Sequence, residues 1–282
     1  MKTLENHKIL FDAECPMCTA YTKAFVKTGM LDGNGRAAYQ NELNTACPVI
    51  DKQRAVNEIA LINLKNGEVT YCIKSLFKVI GNACPLFKPL FSFKPFTWLM
   101  GKVYAFIAYN RRVIVPATEN GATYTYQPTF NLHYRIAYLL LTWFCTGYIL
   151  TAYAHLLTGI VPLGGPLREY FICGGQEVFQ GITISTFAKD KLWNYLGNMM
   201  TISFAGSLLL LLPLGFNHLV SIPTGYFAIY FMGVAGLMFL EHIRRTKLLG
   251  LGWVLTMTWV LYRVALLVLI VASPNPLQGR GL

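Results

Sequence analysis

Between Leu192 and Leu240 the chain has no Asp, Glu, Lys or Arg. A soluble fold has little use for 49 uncharged residues in a row. Over the whole chain charged residues reach only 13 %, about half the usual share. That shortage excludes a wholly soluble protein and marks the second half as membrane. No basic stripe interleaved with aromatics points to nucleic acid, so the net charge of +11 reads as attraction to anionic lipid headgroups. The start, MKTLENHKILFDAECP, has no apolar run long enough for a cleavable leader, and neither Lys2 nor the terminal QGRGL fits a lipidation motif. With seven cysteines and no export signal, a disulfide scaffold is not expected. Internal repeats and low-complexity tracts are lacking as well.

The charge that is present gathers in residues 1–131, which hold 15 Lys and Arg against 9 Asp and Glu, spaced as on a solvated surface. Lys8 to Phe11 reads as a short buried strand. Pro16 suits the first turn of a helix, where its missing N–H costs nothing. Cys18, Tyr21 and Phe25 fall on one apolar face of that helix, and Gly29 is a fitting stop. Arg36 to Gln40 is expected as a second strand and Asp51 to Val56 as a short helix. In EIALINLKNGEVTYCI two strand-like runs flank Asn66-Gly67, a dipeptide that fits a type I′ turn. Ser75 to Ile80 looks helical. The order is β-α-β-α-β-β-α, which resembles the thioredoxin fold. Pro85 to Tyr109 is apolar and aromatic but broken by Lys88, Lys94 and Lys102; it is expected to form amphipathic helices that pack on the domain or lie on the membrane surface.

The chemistry centres on Cys15-Pro16-Met17-Cys18. A strand delivers Cys15 to a helix N-terminus, where free N–H groups and the dipole favour a thiolate. Cys18 sits one turn on, placed to attack a mixed disulfide formed at Cys15. Asp12 and Glu14 oppose the thiolate by roughly 0.7 kcal/mol for a carboxylate about 6 Å away, against about 0.3–1 kcal/mol from the helix end. The two nearly cancel, so only a modest lowering of the Cys15 pKa is expected. A zinc clip would want a second pair at similar spacing; Cys47, Cys72 and Cys84 are single and His7 only precedes the strand. Inert core packing is the third alternative, and Cys145 reads the same way. Redox chemistry is favoured over both.

FDAECPMC resembles the aromatic-Asp-x-x-Cys-x-x-Cys signature of the DCC family of thiol–disulfide oxidoreductases. The resemblance covers roughly residues 8–116 and includes AYNRR, ending at Arg112. It implies a thioredoxin-like domain with Asp12, Cys15 and Cys18 as the motif residues. The chain departs from the pattern at Ala13, where a Gly is usual, and from thioredoxins proper in having no proline just before the third strand. Pro16 is similar to the proline in the C-P-x-C of glutaredoxins.

Four spans are expected in the second half, over about Leu132–Gly159, Leu192–Leu214, Thr224–Leu240 and Leu248–Ala272. The loop from Val161 to Lys191 is too long for a mere turn. Arg263 falls near the middle of the fourth span, where a charge costs about 2.5–3.5 kcal/mol. Its partner is sought in Glu241, the 161–191 loop, carbonyls and water, or a bound anion or quinone. His155 and His242 are unspecific candidates for haem. GNMMTISFAGS, rich in small residues, suits close helix contacts. A leaderless head stays in the cytoplasm, but four spans would then put IRRTK, Ile243 to Lys247, outside, against the positive-inside rule.

The expected architecture is an α/β thioredoxin-like domain over residues 1–116, a linker over 117–131, and an all-α transmembrane bundle of about four helices over 132–282. The expected activity is membrane-tethered thiol–disulfide exchange on a disulfide-containing or thiol protein, with membrane lipids as partners and no nucleic acid. Cys15, at an exposed helix end, attacks; Cys18 resolves; Asp12 shapes the turn or relays a proton. No cofactor is required, though a quinone in the bundle would explain why head and membrane are fused. The alternatives are a redox- or zinc-responsive head regulating a membrane partner, and a small transporter using Arg263.

Overall fold

The computed structural model describes residues 2–42, 50–116, 128–217 and 222–272. The chain divides into two compact units, Met1–Arg135 and Ile136–Leu282.

The first unit is built on a four-stranded mixed sheet. Strand β1 (His7–Phe11) lies inside, with β2 (Arg36–Ala38) parallel on one side and β3 (Ala60–Asn63) antiparallel on the other; β4 (Val69–Tyr71) pairs with β3, giving the order β2-β1-β3-β4. Because side chains alternate along a strand, β1 is buried on both faces. Ile9 packs with Leu31, Ile59, Leu61 and Val79, while Leu10 packs with Tyr39, Ala55, Val56 and Ala60. Its short apolar run is what a strand covered on both sides requires.

Helix α1 (Pro16–Lys27) begins at the expected proline and is followed by Gly29, whose φ of +73° turns the chain away. The short α2 (Tyr39–Glu42) follows β2, and α3 (Lys52–Asn57) is capped by Asp51, whose carboxylate accepts from the Arg54 N–H. The β3–β4 hairpin is a correction. Ile62 pairs with Val69, and the loop between Asn63 and Glu68 has four residues, with Gly67 alone in the left-handed region. A type I′ turn needs positive φ at both central positions; Asn66 instead accepts the Glu68 N–H on its side chain.

Helix α4 (Ile73–Ala83) is longer than expected, and a 3₁₀ turn (Pro85–Phe87), α5 (Lys88–Ser92) and α6 (Lys94–Ile114) follow. One side of α6 packs on the sheet unit: the Tyr104 hydroxyl accepts the Ile59 N–H at 2.8 Å, and Phe96 and Phe91 stack on Phe77. The expected linker falls largely outside the described residues. The first turn of α7 (Leu132–Ala154) belongs with the first unit, through the stacking of Tyr134 on Tyr109 and a bond from the Asn110 amide to the Tyr134 carbonyl.

The second unit is mostly helical: the rest of α7, then α8 (Arg168–Ser185), α9 (Leu192–Phe216), α10 (Thr224–Leu248) and α11 (Val254–Ala272). Four stretches are long and apolar enough to cross a membrane: Leu132–Leu157, Lys189–Phe216, Thr224–Leu248 and Val254–Ala272. Three features go beyond the sequence expectations. The long loop contains an 18-residue helix, α8, packed against α9 and α11; its buried Gln176 and Gln180 bond the Trp259 carbonyl and the Thr258 hydroxyl. The third span runs past Leu240 as α10, whose last turns carry IRRTK and where Arg244 and Arg245 bond Glu241. With Glu241 so engaged, the Arg263 guanidinium lies over the Trp259 ring, 4.5 Å from its centroid. Both ring nitrogens of His242 are taken, by Tyr195 and Thr256, which leaves none for a haem iron. At Gly206, in the small-residue stretch, an added Cβ would run into Met238 of α10.

Candidate functional site

The end of β1 delivers Asp12 into a tight turn. The Asp12 carbonyl accepts the Cys15 N–H at 3.1 Å, and its carboxylate accepts the Glu14 N–H at 3.1 Å. Such side-chain-to-backbone bonds are the usual work of Asp in turns. Cys15 then takes the N-cap position of α1, with its sulfur accepting the Cys18 N–H at 3.4 Å. Pro16 fills the first helical position, so the free N–H aimed at the sulfur is that of Cys18.

The two thiols are chemically unequal. The Cys18 thiol donates to the Cys15 sulfur, and that bond, together with the Cys18 N–H and the nearby Arg111 guanidinium, brings the Cys15 pKa down to about 6 against the opposing effect of burial. The same bond, from the donor's side, and then burial push the Cys18 thiol far up. The Tyr21 phenol hydrogen-bonds Cys18, and burial raises its own pKa, keeping it a neutral donor. Cys15 is therefore more acidic than its acidic neighbours suggest, chiefly through the Cys18 bonds, with the Arg111 cation adding to them against the Asp12 charge.

Asp12 is buried and bonded on all sides. Its Oδ2 lies 2.9 Å from Arg111 Nη2 and 3.8 Å from Arg112 Nη2, while Oδ1 accepts the Gln40 amide at 2.8 Å. Gln40 returns its carbonyl oxygen to the Ala13 N–H at 3.2 Å. Arg112 reaches Glu14 Oε2 at 3.0 Å, and Arg111 also donates to the Val56 carbonyl. Two acids beside the motif are thus met by two arginines from the end of α6, 99 residues away in the chain. The structure brings Asp12, Cys15 and Cys18 together, and adds Gln40, Arg111, Arg112 and Tyr21. Arg111 and Arg112 sat in view within AYNRR; the signal for them was an adjacent basic pair in a stretch with no acidic residue of its own. Gln40 left no comparable trace.

No family model, curated protein or solved structure matches this chain. The site therefore stands on its own geometry: a small α/β region carrying the Cys15–Cys18 pair, followed by four long apolar helices.

One expectation is corrected. Cys15 is not at an exposed helix end; it is only 2 % exposed, packed with Phe11, Cys18, Met17, Tyr21 and Ala38. Phe11, Met17, Tyr21 and Ala38 cover the thiol, while Pro16 at the first helical position stays exposed. Ala13, where the resembled pattern has Gly, points outward and has ordinary negative φ, so its methyl group meets no obstacle. No group of three His, Cys, Asp or Glu side chains placed to hold a metal occurs among the described residues. Cys72 and Cys84 flank α4; Cys47 lies outside the described residues.

Proposed function

We propose that the protein is a membrane-tethered thiol–disulfide oxidoreductase whose first unit is a thioredoxin-like head of the DCC type. The observation that carries this is the inequality of the two thiols: Cys15 caps a helix and is acidified, while Cys18 is held protonated one turn away. Thiol exchange needs that division of labour. The order of strands and helices, with the pair opening the first helix, supports the thioredoxin-like assignment, and FDAECPMC supports the DCC resemblance.

In the reductive direction the Cys15 thiolate attacks one sulfur of a substrate disulfide. A Cys15–substrate bond forms, the substrate S–S bond breaks, and the departing thiolate takes a proton from water. Cys18 then loses its proton and attacks Cys15 Sγ, expelling the second substrate thiol and leaving a Cys15–Cys18 disulfide. Two electrons have passed to the substrate, and an external dithiol must return them. The Tyr21 phenol steadies the Cys18 thiolate as it forms. Arg111 keeps the Asp12 charge from opposing the first thiolate. Because both sulfurs are buried, each turnover needs a local opening around Met17 and the turn.

Cys15→Ser is expected to abolish exchange and leave no adduct. Cys18→Ser is expected to hold substrate on Cys15 as a mixed disulfide that dithiothreitol releases. Non-reducing gels of the two variants, with the other five cysteines replaced, provide the test; equal trapping by both would sink the role assignment. The head faces the cytoplasm in this proposal, so a membrane-impermeant thiol reagent should reach a Cys15-only variant only after cells are opened.

A further inference from the structure

From Val69 to Thr118 the sequence has no Asp or Glu but seven Lys and Arg. Two of these, Arg111 and Arg112, turn inward to the carboxylates beside Cys15. Lys88, Lys94 and Lys102 stay exposed on the 3₁₀–α5–α6 segment. On the same segment, large apolar side chains stand in solvent. Trp98 is 67 % exposed with Lys94 and Lys102 one turn before and after it, and the exposed Leu99, Val103 and Ile107 recur every four residues in the neighbouring row of α6. Leu86 at 85 %, Leu90 and Phe93 extend the patch past the start of the helix. The inner side is saturated by Phe77, by the Tyr104 bond to Ile59 and by the Arg111 bonds. The packing of the head thus gives no account of the outer side. A patch of this kind, apolar at its centre with cations and no anions around it, is unusual for water and marks an interaction surface.

We propose that this outer side of α5 and α6 lies on the surface of an anionic phospholipid bilayer. The charge decides the occupant: lysines set among Trp, Leu and Val are the composition of a helix that sinks its apolar side into the headgroup boundary while its ammonium groups meet lipid phosphates. Trp98 has the amphipathic ring favoured at that depth. A nucleic acid would leave the Leu, Val and Ile side chains wet. A second copy of the head would bring like charges together. The four membrane-crossing stretches that follow in the same chain keep the patch at high local concentration near lipid. The proposal is independent of the thiol chemistry. Its bearing on that chemistry is that α6 carries the lipid-facing stripe outside and the Arg111 anchor of the Cys15 turn inside.

The test uses the full chain in nanodiscs of phosphatidylcholine alone, or of phosphatidylcholine mixed with phosphatidylserine. The signal is the emission of Trp98, taken as the difference between the wild type and Trp98→Phe. In the mixed lipid, Trp98 is expected to be blue-shifted and quenched by phospholipids brominated near the top of the acyl chain. Quenching should fall in phosphatidylcholine alone and at high salt. The joint change Lys88→Gln, Lys94→Gln and Lys102→Gln should weaken docking on the order of 100-fold, about fivefold for each charge removed from the lipid surface. A triple Lys→Glu variant should weaken it further, and alkylation of Cys15 at the wild-type rate verifies that either variant is folded. Trp98 left unquenched in the mixed lipid overturns the proposal. So does a blue-shifted Trp98 that brominated lipid cannot quench, because a protein surface would then cover the patch. Equal quenching in neutral and anionic lipid overturns the role given to the lysines.

Discussion

In the first unit a buried ion pair joins residues 99 apart, Asp12 on the turn after β1 and Arg111 near the end of α6. The second unit keeps its ion pairs local: Glu241 meets Arg244 and Arg245 one turn away on the same helix. Over long range Arg245 donates to Asn198 Oδ1 at 2.9 Å and Lys191 to the Leu249 carbonyl at 2.8 Å, both neutral acceptors. The Tyr195 hydroxyl bonds Gln180 at 2.8 Å and His242 at 3.2 Å, and His242 bonds Thr256 at 3.1 Å. The contrast fits the composition of each unit. The charge-rich first unit can use a desolvated pair to fix one geometry and to set the field at a thiol, at the risk that either partner alone is a buried charge. Helices long and apolar enough to cross a membrane gain register from hydroxyl, amide and imidazole groups that cost less to bury than a charge.

The comparison is broken most severely at Arg111. Arg111→Met leaves the Asp12 carboxylate buried without its main partner and is expected to cost about 3–5 kcal/mol of head stability. Denaturant dependence of Cys18 alkylation reports it, and a loss below about 1 kcal/mol would show that the pair is not structural. Adding Asp12→Leu removes the stranded charge and should recover most of the loss.

Next in size is the response to pH. With the Cys15 pKa near 6, alkylation of Cys15 should rise through pH 6 and level off above it, where a thiol of ordinary pKa would keep gaining rate toward pH 9. A thiol whose pKa falls on folding adds stability that is full above the unfolded value and lost as pH drops through the folded one. The reduced head should therefore lose that contribution between pH 9 and about pH 6. In Arg111→Met the alkylation midpoint should move up, since the cation is gone and the Asp12 charge remains. An unmoved midpoint would assign the acidity to the Cys18 bonds alone.

In the second unit Tyr195→Phe removes two neutral hydrogen bonds and is expected to cost only about 1 kcal/mol, the scale found for such bonds between membrane helices. A loss as large as that of Arg111→Met, measured by unfolding in detergent, would erase the distinction between the units. Arg263→Leu should have the smallest effect. It forfeits a cation–π contact of about 0.5–1 kcal/mol but removes a mid-span charge costing about 2.5–3.5 kcal/mol on insertion. The amount of protein in membranes should hold or rise, and a fall would mean that Arg263 grips something the helices do not supply.

What the sequence made legible was local. The strand, the CxxC and the helix opening at Pro16 occupy one continuous stretch, so spacing and position located Cys15 and Cys18, and the resemblance carried by FDAECPMC added Asp12. The four spans were visible because the lack of charge is itself a sequence property. Long-range pairing was not visible. Without it, Asp12 and Glu14 looked like free charges opposing the thiolate, and Cys15 looked exposed. Asn66-Gly67 was a true turn signal attached to the wrong loop length, since the register of Ile62 with Val69 is set by packing on β1. Helix α8 was hidden because its glutamines look polar until Trp259 and Thr258 meet them. The third span was ended at Leu240, where charge begins, whereas Glu241 lets α10 run on and carry Arg244 and Arg245 as paired groups.

The Asp12–Arg111 bond also sets a clock. During synthesis Arg111 follows Cys15 by 96 residues. At about 5–20 residues per second that is a wait of roughly 5–20 s. Until α6 is complete the Asp12 charge is unanswered, and only the Cys18 bonds of its own turn lower the Cys15 pKa. The growing chain thus carries this thiol through that interval without its cation, and gains the Arg111 share of the acidity only when the head closes.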